Sequence, residues 1–340
     1  MFGKMMNRYY YGKSGKGDYT KEDLPQNRWQ LFWETLRVRF MGLIRLNLMY
    51  AVAWLPAIIV IARGVLMWYS GLVNIADMQA QVAAGTLAQE ALSEGMAMFD
   101  VAVRGVVMQT LLLLVPCIAL TGPFTAGVCY VTRNWARDEH AFIWSDFRDA
   151  VKENWKQGLA TSAVTGFMPL ILYVCFTFYG DMAKENMLFI VPQVLCITII
   201  LIWMCSLMYT YPQMVTYRLR YRDLLKNSFF LTIARLPMTL GLKLLSLLPA
   251  AICALVGIFT PYMQYALLVL GLYYILLGYS LSRFVGASYS NAVFDRFINA
   301  RIEGAEVNKG LYVDEDEEED EDAALEETGS VSADESSHEA

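Results

Sequence analysis

Charged side chains are absent from long parts of this sequence. Residues 244–282 run for 39 positions without Asp, Glu, Lys, Arg or His, and residues 106–131, 158–179 and 187–211 are also free of them. A helix of that length would reach about 58 Å, roughly twice the hydrocarbon thickness of a bilayer, so the stretch must fold back on itself. Gly257 and Pro261 mark the predicted bend, because glycine tolerates tight turns and proline disfavours helix before it. The absences predict an integral membrane protein.

Histidines, paired cysteines and catalytic motifs are also scarce. The chain has two histidines, and its six cysteines lie singly inside apolar stretches, without a Cys-x-x-Cys pair. A metal site needs several such ligands at short spacing, so we predict no metal and no cofactor. His-Glu-x-x-His, Gly-x-Ser-x-Gly and phosphate-loop motifs are missing. Predicted spans two to six offer no acid or base for proton chemistry, and we predict that the protein is not an enzyme.

The apolar stretches predict an all-α, polytopic membrane protein with a membrane domain over residues 29–300. Its six predicted spans are residues 41–62, 106–131, 158–179, 187–211, 244–260 and 262–282. Residues 63–105 form a predicted outward-facing insertion between the first two. Of the 27 Lys and Arg residues, 23 fall in the segments that precede or follow pairs of spans. Under the positive-inside rule this bias places both termini in the cytoplasm.

The two ends of the chain differ in charge. Residues 1–28 are predicted to be a basic cytoplasmic segment, and residues 301–340 an acidic, disordered cytoplasmic tail. The formal net charge is −6, yet residues 314–340 contain 14 acids and no Lys or Arg, so the rest of the chain carries +8. A segment with so little apolar surface does not offset the entropy of folding. The tail is either solvated or in contact with the basic cytoplasmic loops.

Three segments ahead of the first, third and fifth spans place aromatic or aliphatic residues at helical spacing. This pattern predicts amphipathic helices that lie in the cytoplasmic membrane interface. Each segment leads into a span with a proline about 20 residues further on, which predicts three helical hairpins. The residues are Trp29, Phe32 and Trp33 in the first segment, Trp144, Phe147, Val151 and Trp155 in the second, and Leu225, Phe229 and Ile233 in the third.

One compound pattern is concentrated between residues 115 and 160. It consists of Leu120–Val131, Arg133, Trp135, Arg137–Glu139, Asp146, Phe147 and Lys152–Gln157, and Arg45–Leu48 ahead of Leu55 and Pro56 extends it. The pattern resembles the YesL-like family of bacterial integral membrane proteins. The resemblance implies a multi-pass protein of the bacterial plasma membrane without an established molecular activity. It also implies a link to sugar physiology, because such proteins are often encoded beside ABC-type carbohydrate uptake systems.

Two functions follow as hypotheses. The first is an accessory or regulatory component associated with carbohydrate uptake, whose partners are the lipid bilayer and subunits of a sugar ABC transporter. The alternative is a transporter of a neutral small solute such as a sugar, with tyrosines such as Tyr173, Tyr209 and Tyr211 as binding groups. The chain lacks the Glu-Ala-Ala then Gly spacing of an ABC permease subunit. We predict no nucleic-acid partner, and the sequence does not indicate an oligomeric state.

Ten residues are candidates for structural or partner-contact roles. Asp138 and Glu139 are expected to pair with Arg133 or Arg137 at the cytoplasmic end of span two and so anchor the loop to the bundle. Small residues near Gly122 are expected to mark close helix packing. The ten candidates are Asn47, Gly122, Pro123, Arg133, Arg137, Asp138, Glu139, Asp146, Phe147 and Asn154.

Overall fold

The computed structural model describes residues 24–312, and it contains no strand within that range. Its α-helices are α1 (Arg28–Ala83), α2 (Gln89–Trp135), α3 (Ser145–Ala183), α4 (Ile190–Thr216), α5 (Tyr221–Ala234), α6 (Leu236–Phe259), α7 (Met263–Tyr273) and α8 (Tyr279–Phe297). A π-helical turn, Tyr274–Gly278, joins α7 to α8, and short 3₁₀ turns occur at Met187–Phe189 and Asn299–Arg301. Most of the predicted basic segment and all of the acidic run, residues 1–23 and 313–340, lie outside the described residues.

Six helical segments are long and apolar enough to cross a membrane. They are Arg28–Ala83, Gln89–Trp135, Ser145–Ala183, Met187–Thr216, Leu236–Phe259 and Met263–Arg301. In their most apolar windows at most 17% of the residues are buried inside the protein. Apolar surface of this extent is stable in lipid, because lipid tails are as apolar as the side chains that face them. The prediction of an all-α protein with six segments able to span a membrane is confirmed for residues 24–312.

Local sequence explains where several helices begin and end. The Asn27 side chain accepts a hydrogen bond of 2.9 Å from the Gln30 amide and caps the start of α1. The turn after α1 contains Gly85 at φ +73°, a conformation that glycine adopts without steric cost. Between α6 and α7 the chain turns at Thr260 and Pro261, so the predicted bend at Pro261 is confirmed, whereas Gly257 lies inside α6 and does not form part of the turn.

Helices α1 and α2 continue well beyond their predicted spans. The 56 residues of α1 extend for about 84 Å at 1.5 Å per residue, far more than a bilayer core. Arg63, which donates to Gln109 at 3.2 Å, and Arg104, which interacts with Asp181, mark one limit of the apolar region. Past this limit the two helices run on as an antiparallel pair. We call residues 63–105 the distal hairpin; the predicted insertion is helical and continuous with both spans.

Helix α2 lies at the centre of the bundle and contacts α1, α3, α4 and α8. The buried apolar residues concentrate at the end of the bundle opposite the distal hairpin, which we call the basal end. The largest buried cluster there includes Leu43, Tyr50, Val131, Trp135 and Phe284. Helix α7, by contrast, contains no buried residue and packs mainly on α6 and the π turn. The basal end therefore holds the well-packed core.

The three predicted interfacial segments differ in the structure. The first continues into α1 and the second into α3 without a break, whereas the third is the separate helix α5. Trp29 and Trp144 are 69% and 67% exposed, so their rings are accessible to water or lipid. Their position in a membrane interface stays a prediction.

Candidate functional site

Asn47 joins α1 to the π turn. Its amide nitrogen donates to the carbonyl oxygens of Tyr274 at 2.8 Å and Ile275 at 2.7 Å, and its amide oxygen accepts from the Ser280 amide at 2.8 Å. The Ser280 hydroxyl donates to the Leu43 carbonyl at 2.9 Å. A π turn shifts the register of backbone hydrogen bonds, so groups left without a helical partner need one from elsewhere. The fully buried Asn47 side chain supplies it.

Gly122 and Pro123 lie where α2 crosses α3. A methyl group built on Gly122 would overlap the carbonyl group of Gly158, and one on Gly158 would lie 3.0 Å from the Gly122 carbonyl and the Pro123 nitrogen. The absence of both side chains lets the two backbones touch. Small residues permit this approach in membrane bundles, where packing drives helix association. Both residues thus have a packing role in the structure.

Asp146, Phe147 and Asn154 lie on the first part of α3. The Asp146 carboxylate accepts from the Phe142 amide at 2.9 Å and shapes the chain ahead of the helix. The buried Phe147 ring fills the space beside Gly127, where a methyl group would be 2.7 Å from the ring. Asn154 donates to the Ala150 carbonyl of its own helix at 3.0 Å.

Arg133, Arg137 and Glu139 meet at the basal end of α2. Glu139 pairs with the Arg137 Nε at 3.1 Å and with Arg133 at 3.5 Å. Asp138 takes a left-handed backbone conformation at φ 54° and makes no ion pair within residues 24–312. The structure thus brings together the two arginines and one of the two acids that the sequence grouped with them.

Asp295 of α8 enlarges this cluster. Its side chain is only 4% exposed and binds Arg28 at 2.5 Å and Arg137 at 3.7 Å. Asn299 donates to the same carboxylate at 2.5 Å, and the Asn308 amide does so at 3.2 Å. The basal cluster, defined as Arg28, Arg133, Arg137, Glu139 and Asp295, therefore links the beginning of α1 to the ends of α2 and α8.

The segment after α8 folds back onto the basal cluster. Lys309 lies 3.4 Å from Glu139 and also pairs with Glu306. The hydrogen bond between Lys309 and Glu306 raises the pKa of the lysine and lowers that of the glutamate, so both stay charged near neutral pH. Burial raises the pKa of Tyr217 to about 12, which keeps its hydroxyl protonated as it donates to Asn299 at 2.6 Å.

A second group of polar residues lies inside the bundle, and each of the six candidate spans contributes one member. The Arg283 guanidinium lies 5.5 Å from the centre of the Tyr211 ring and interacts with the Tyr50 hydroxyl. Lys243 interacts electrostatically with Arg283. We call this group the central cluster; its members are Tyr50, Thr125, Ser162, Tyr211, Lys243 and Arg283.

Hydroxyl groups connect the central cluster across helices. Tyr50 and Thr125 are 2.7 Å apart, as are Tyr211 and Ser162. Thr125 already donates to the Thr121 carbonyl at 2.9 Å, so Tyr50 is the donor in the first pair. The Tyr50 oxygen is then left to accept from Arg283. Neutral groups thus join α1 to α2 and α3 to α4 in two separate pairs, while the charge of the cluster is entirely positive.

The sequence pointed to only part of this arrangement. Tyr211 is one of the tyrosines that the sequence offers as binding groups, but Lys243 and Arg283 border the predicted fifth and sixth spans and belong by sequence to the basic loops. Helical geometry places Arg283 about 18 Å along α8 from Asp295, well inside the bundle. The signal in the sequence is that these two cations lie one residue beyond the two ends of the charge-free run 244–282. Asp295 and Arg28 gave no local signal, because 267 positions separate them.

The fold and these clusters define an all-helical protein of the multi-pass membrane class. A family model described as "Protein of unknown function, DUF624" matches residues 98–176, from the distal part of α2 to most of α3. A DUF624 domain is therefore present there, and DUF624 is the family to which YesL-like proteins belong. No curated protein and no solved structure matches the chain. The matched range contains all but one of the ten candidate residues, Asn47.

Proposed function

We propose that this protein is an accessory or regulatory component associated with carbohydrate uptake, and that it acts through a membrane partner bound at the distal hairpin. In this proposal it is a bacterial plasma-membrane protein with both termini in the cytoplasm and three helical hairpins. The distal hairpin then lies outside the cell. The DUF624 match supports the resemblance to YesL-like proteins, and the association with carbohydrate uptake comes from that resemblance alone.

The length of the distal hairpin is the observation that carries the proposal. Helix α1 continues for 20 residues past Arg63, which is about 30 Å beyond the level where charged residues reappear. The two helices pack closely: a methyl group on Gly64 would lie 2.6 Å from the Thr110 hydroxyl, and one on Gly95 would lie 2.7 Å from Met78. A rigid rod of this kind presents a surface well away from the bilayer.

The chemistry of that surface fits a protein partner. Met98 and Val101 are each 72% exposed, and Leu66 is 67% exposed. Between Arg63 and Arg104 the chain carries four acids, Asp77, Glu90, Glu94 and Asp100, and no Lys or Arg. Exposed apolar side chains among polar ones are typical of interaction surfaces. The matching partner surface is apolar with a basic rim, on the outer side of a polytopic transporter subunit.

Site-specific photocrosslinking in native membranes tests the proposal. A photoreactive residue at position 98 or 101 should yield an adduct with a subunit of a carbohydrate transporter. The matched control is position 92 on the same helix, where Leu92 is only 7% exposed and should give no adduct. Failure to recover any transporter subunit from positions 98 and 101 counts against the proposal.

A transporter of a neutral solute is the second candidate. The hydroxyls of Tyr50, Thr125, Ser162 and Tyr211 meet inside the bundle, and neutral hydrogen-bonding groups of this kind bind sugars. Lys243 and Arg283 of the central cluster argue against this candidate, because a neutral solute would leave both positive charges without a counterion. Sugar flux into proteoliposomes that contain only this protein separates the two. Robust uptake supports the transporter and contradicts the accessory role.

A further inference from the structure

The central cluster holds two cations for which the described residues provide no carboxylate. The ion pairs within residues 24–312 include neither Lys243 nor Arg283. Lys243 interacts most strongly with Arg283, and the guanidinium of Arg283 lies 5.5 Å from the centre of the Tyr211 ring and also interacts with Tyr50. Like charges in a low-dielectric interior repel each other, and ionisable groups persist inside membrane bundles mainly where they are used.

The position of Arg283 argues against simple snorkelling toward water. Its guanidinium lies over the Tyr211 ring and against Tyr50, both of which are at most 2% exposed. Tyr50 donates its own proton to Thr125 and its hydroxyl interacts with the guanidinium, while Tyr211 is held by Ser162 at 2.7 Å. The neutral groups thus fix the cation in place. They leave the positive charge of the cluster without a counterion.

We propose that the central cluster is a binding site for an oxyanion, namely the carboxylate or phosphate group of a small solute or the phosphate of a lipid headgroup. Lys243 and Arg283 provide the positive charge, and the fork of guanidinium donors matches the geometry of such a group. Tyr50 and Tyr211 are the neutral polar groups that contact Arg283, and Ser162 holds the Tyr211 hydroxyl. The site lies inside the bundle and does not depend on a partner at the distal hairpin.

Binding to the purified full-length protein tests this proposal. The probes are inorganic phosphate and glucuronate added to protein in a neutral detergent, with glucose as the uncharged control. Near 100 times its dissociation constant, an oxyanion should raise the melting temperature by about 5 °C, and glucose should have no comparable effect. Equal stabilisation by glucose and glucuronate overturns the proposal.

A comparison between detergent and lipid nanodiscs distinguishes a soluble oxyanion from a lipid headgroup. Stabilisation by phosphate or glucuronate in detergent identifies a soluble ligand. Stabilisation only in nanodiscs of phosphatidylglycerol, relative to phosphatidylcholine, identifies an anionic lipid. If none of these probes stabilises the protein, the proposal is wrong. This outcome is obtained with the unmutated protein alone.

Variants then assign the effect to the two cations. Lys243→Met should weaken oxyanion affinity about tenfold or more, and it should leave or raise the melting temperature of the ligand-free protein because it relieves repulsion by Arg283. Lys243→Arg keeps the charge and should retain binding. Lys226→Met, which removes an exposed cation of α5, is the matched control and should bind normally. Unchanged affinity in Lys243→Met and Arg283→Met contradicts the assignment.

Discussion

At the scale of single residues, one amide can supply most of the side-chain hydrogen bonds between a helix and a π turn. Asn47 makes three hydrogen bonds to backbone groups around the π turn, and no other side chain within residues 24–312 donates to the Tyr274 or Ile275 carbonyl. Asn154 resembles it in sequence but donates only to its own helix. The sequence makes the two asparagines equal candidates. Only the structure shows that Asn47 bonds to a different element, whereas Asn154 bonds within its own helix.

Replacement of Asn47 by leucine should therefore destabilise the protein. The change leaves two carbonyls and one amide without a partner in an apolar environment, at a cost of about 1–3 kcal/mol. The melting temperature of detergent-solubilised protein should fall by about 3–8 °C. Asn154→Leu is the matched control, with a change near zero. Equal melting of the two variants would show that the Asn47 bonds do not hold the π turn.

Gly122 allows a second prediction at this scale. A methyl group there overlaps the Gly158 carbonyl, so Gly122→Ala must push α2 and α3 apart, at a cost of about 1–3 kcal/mol or more. A methyl group on Gly105 of the same helix would meet no atom of another residue within 4 Å. Gly105→Ala should be neutral or stabilising by about 0.5–1 kcal/mol, because alanine favours helix. If Gly105→Ala unfolds at a lower temperature than Gly122→Ala, the close crossing of α2 and α3 is refuted.

At the scale of helices and loops, the basal cluster links segments that are distant in sequence. The single side chain of Arg137 contacts Glu139 in the loop after α2, Asp295 in α8 and the Glu306 carbonyl in the final described segment. The sequence predicted the pairing within the loop, because Arg133, Arg137 and Glu139 are close neighbours along the chain. It did not predict Asp295, since a contact between distant helices depends on how the bundle packs.

Arg137→Ala should loosen the attachment of this loop to the bundle. Asp295 keeps Arg28, so the expected loss is about 1–3 kcal/mol rather than the full cost of an isolated buried charge. Lys152→Ala breaks only an exposed pair with Asp149 and should change stability by less than about 0.5 kcal/mol. The measurement is thermal unfolding after membrane extraction. An unchanged midpoint in Arg137→Ala argues against the predicted anchor.

The distal hairpin is an element whose removal should be tolerated. Gly71 and Phe99 face each other across α1 and α2, so residues 72–98 can be replaced by a short glycine-containing turn. The buried core lies at the basal end, and the shortened protein should melt within about 3 °C of the full-length protein. Crosslinking at position 101 should be lost in the same variant. A large fall in melting temperature would indicate that the hairpin supports the fold itself.

At the scale of the whole molecule, composition predicts more than it does at smaller scales. Charge-free runs must lie in lipid or in a core, so the apolar spans and the bend near Pro261 could be inferred without coordinates. Exact helix ends could not, because α1 and α2 remain helical on both sides of the bilayer. The sequence alone places Lys243 and Arg283 in loops for the same reason: a residue just beyond an apolar run can still be partly buried within the bundle when the helix continues.

The orientation of the molecule provides the last prediction. Reporter domains inserted at the turn after Gly85, in the loop near Glu185 and near Pro261 should be detected outside the cell. Reporters at His140, at Arg218 or after Tyr312 should be detected in the cytoplasm, because 21 of the 27 Lys and Arg residues fall in the segments that the positive-inside rule assigns to that side, once Lys243 and Arg283 of the central cluster are left out. The reporter at Arg218 is the most informative one. Helices α5 and α6 are separated only at Arg235, so a different path of the chain through the membrane would first change the side on which the Arg218 loop lies. An external signal at Arg218, or an odd number of crossings, would reverse the surfaces assigned to the basal cluster and the distal hairpin and would remove the proposed external partner.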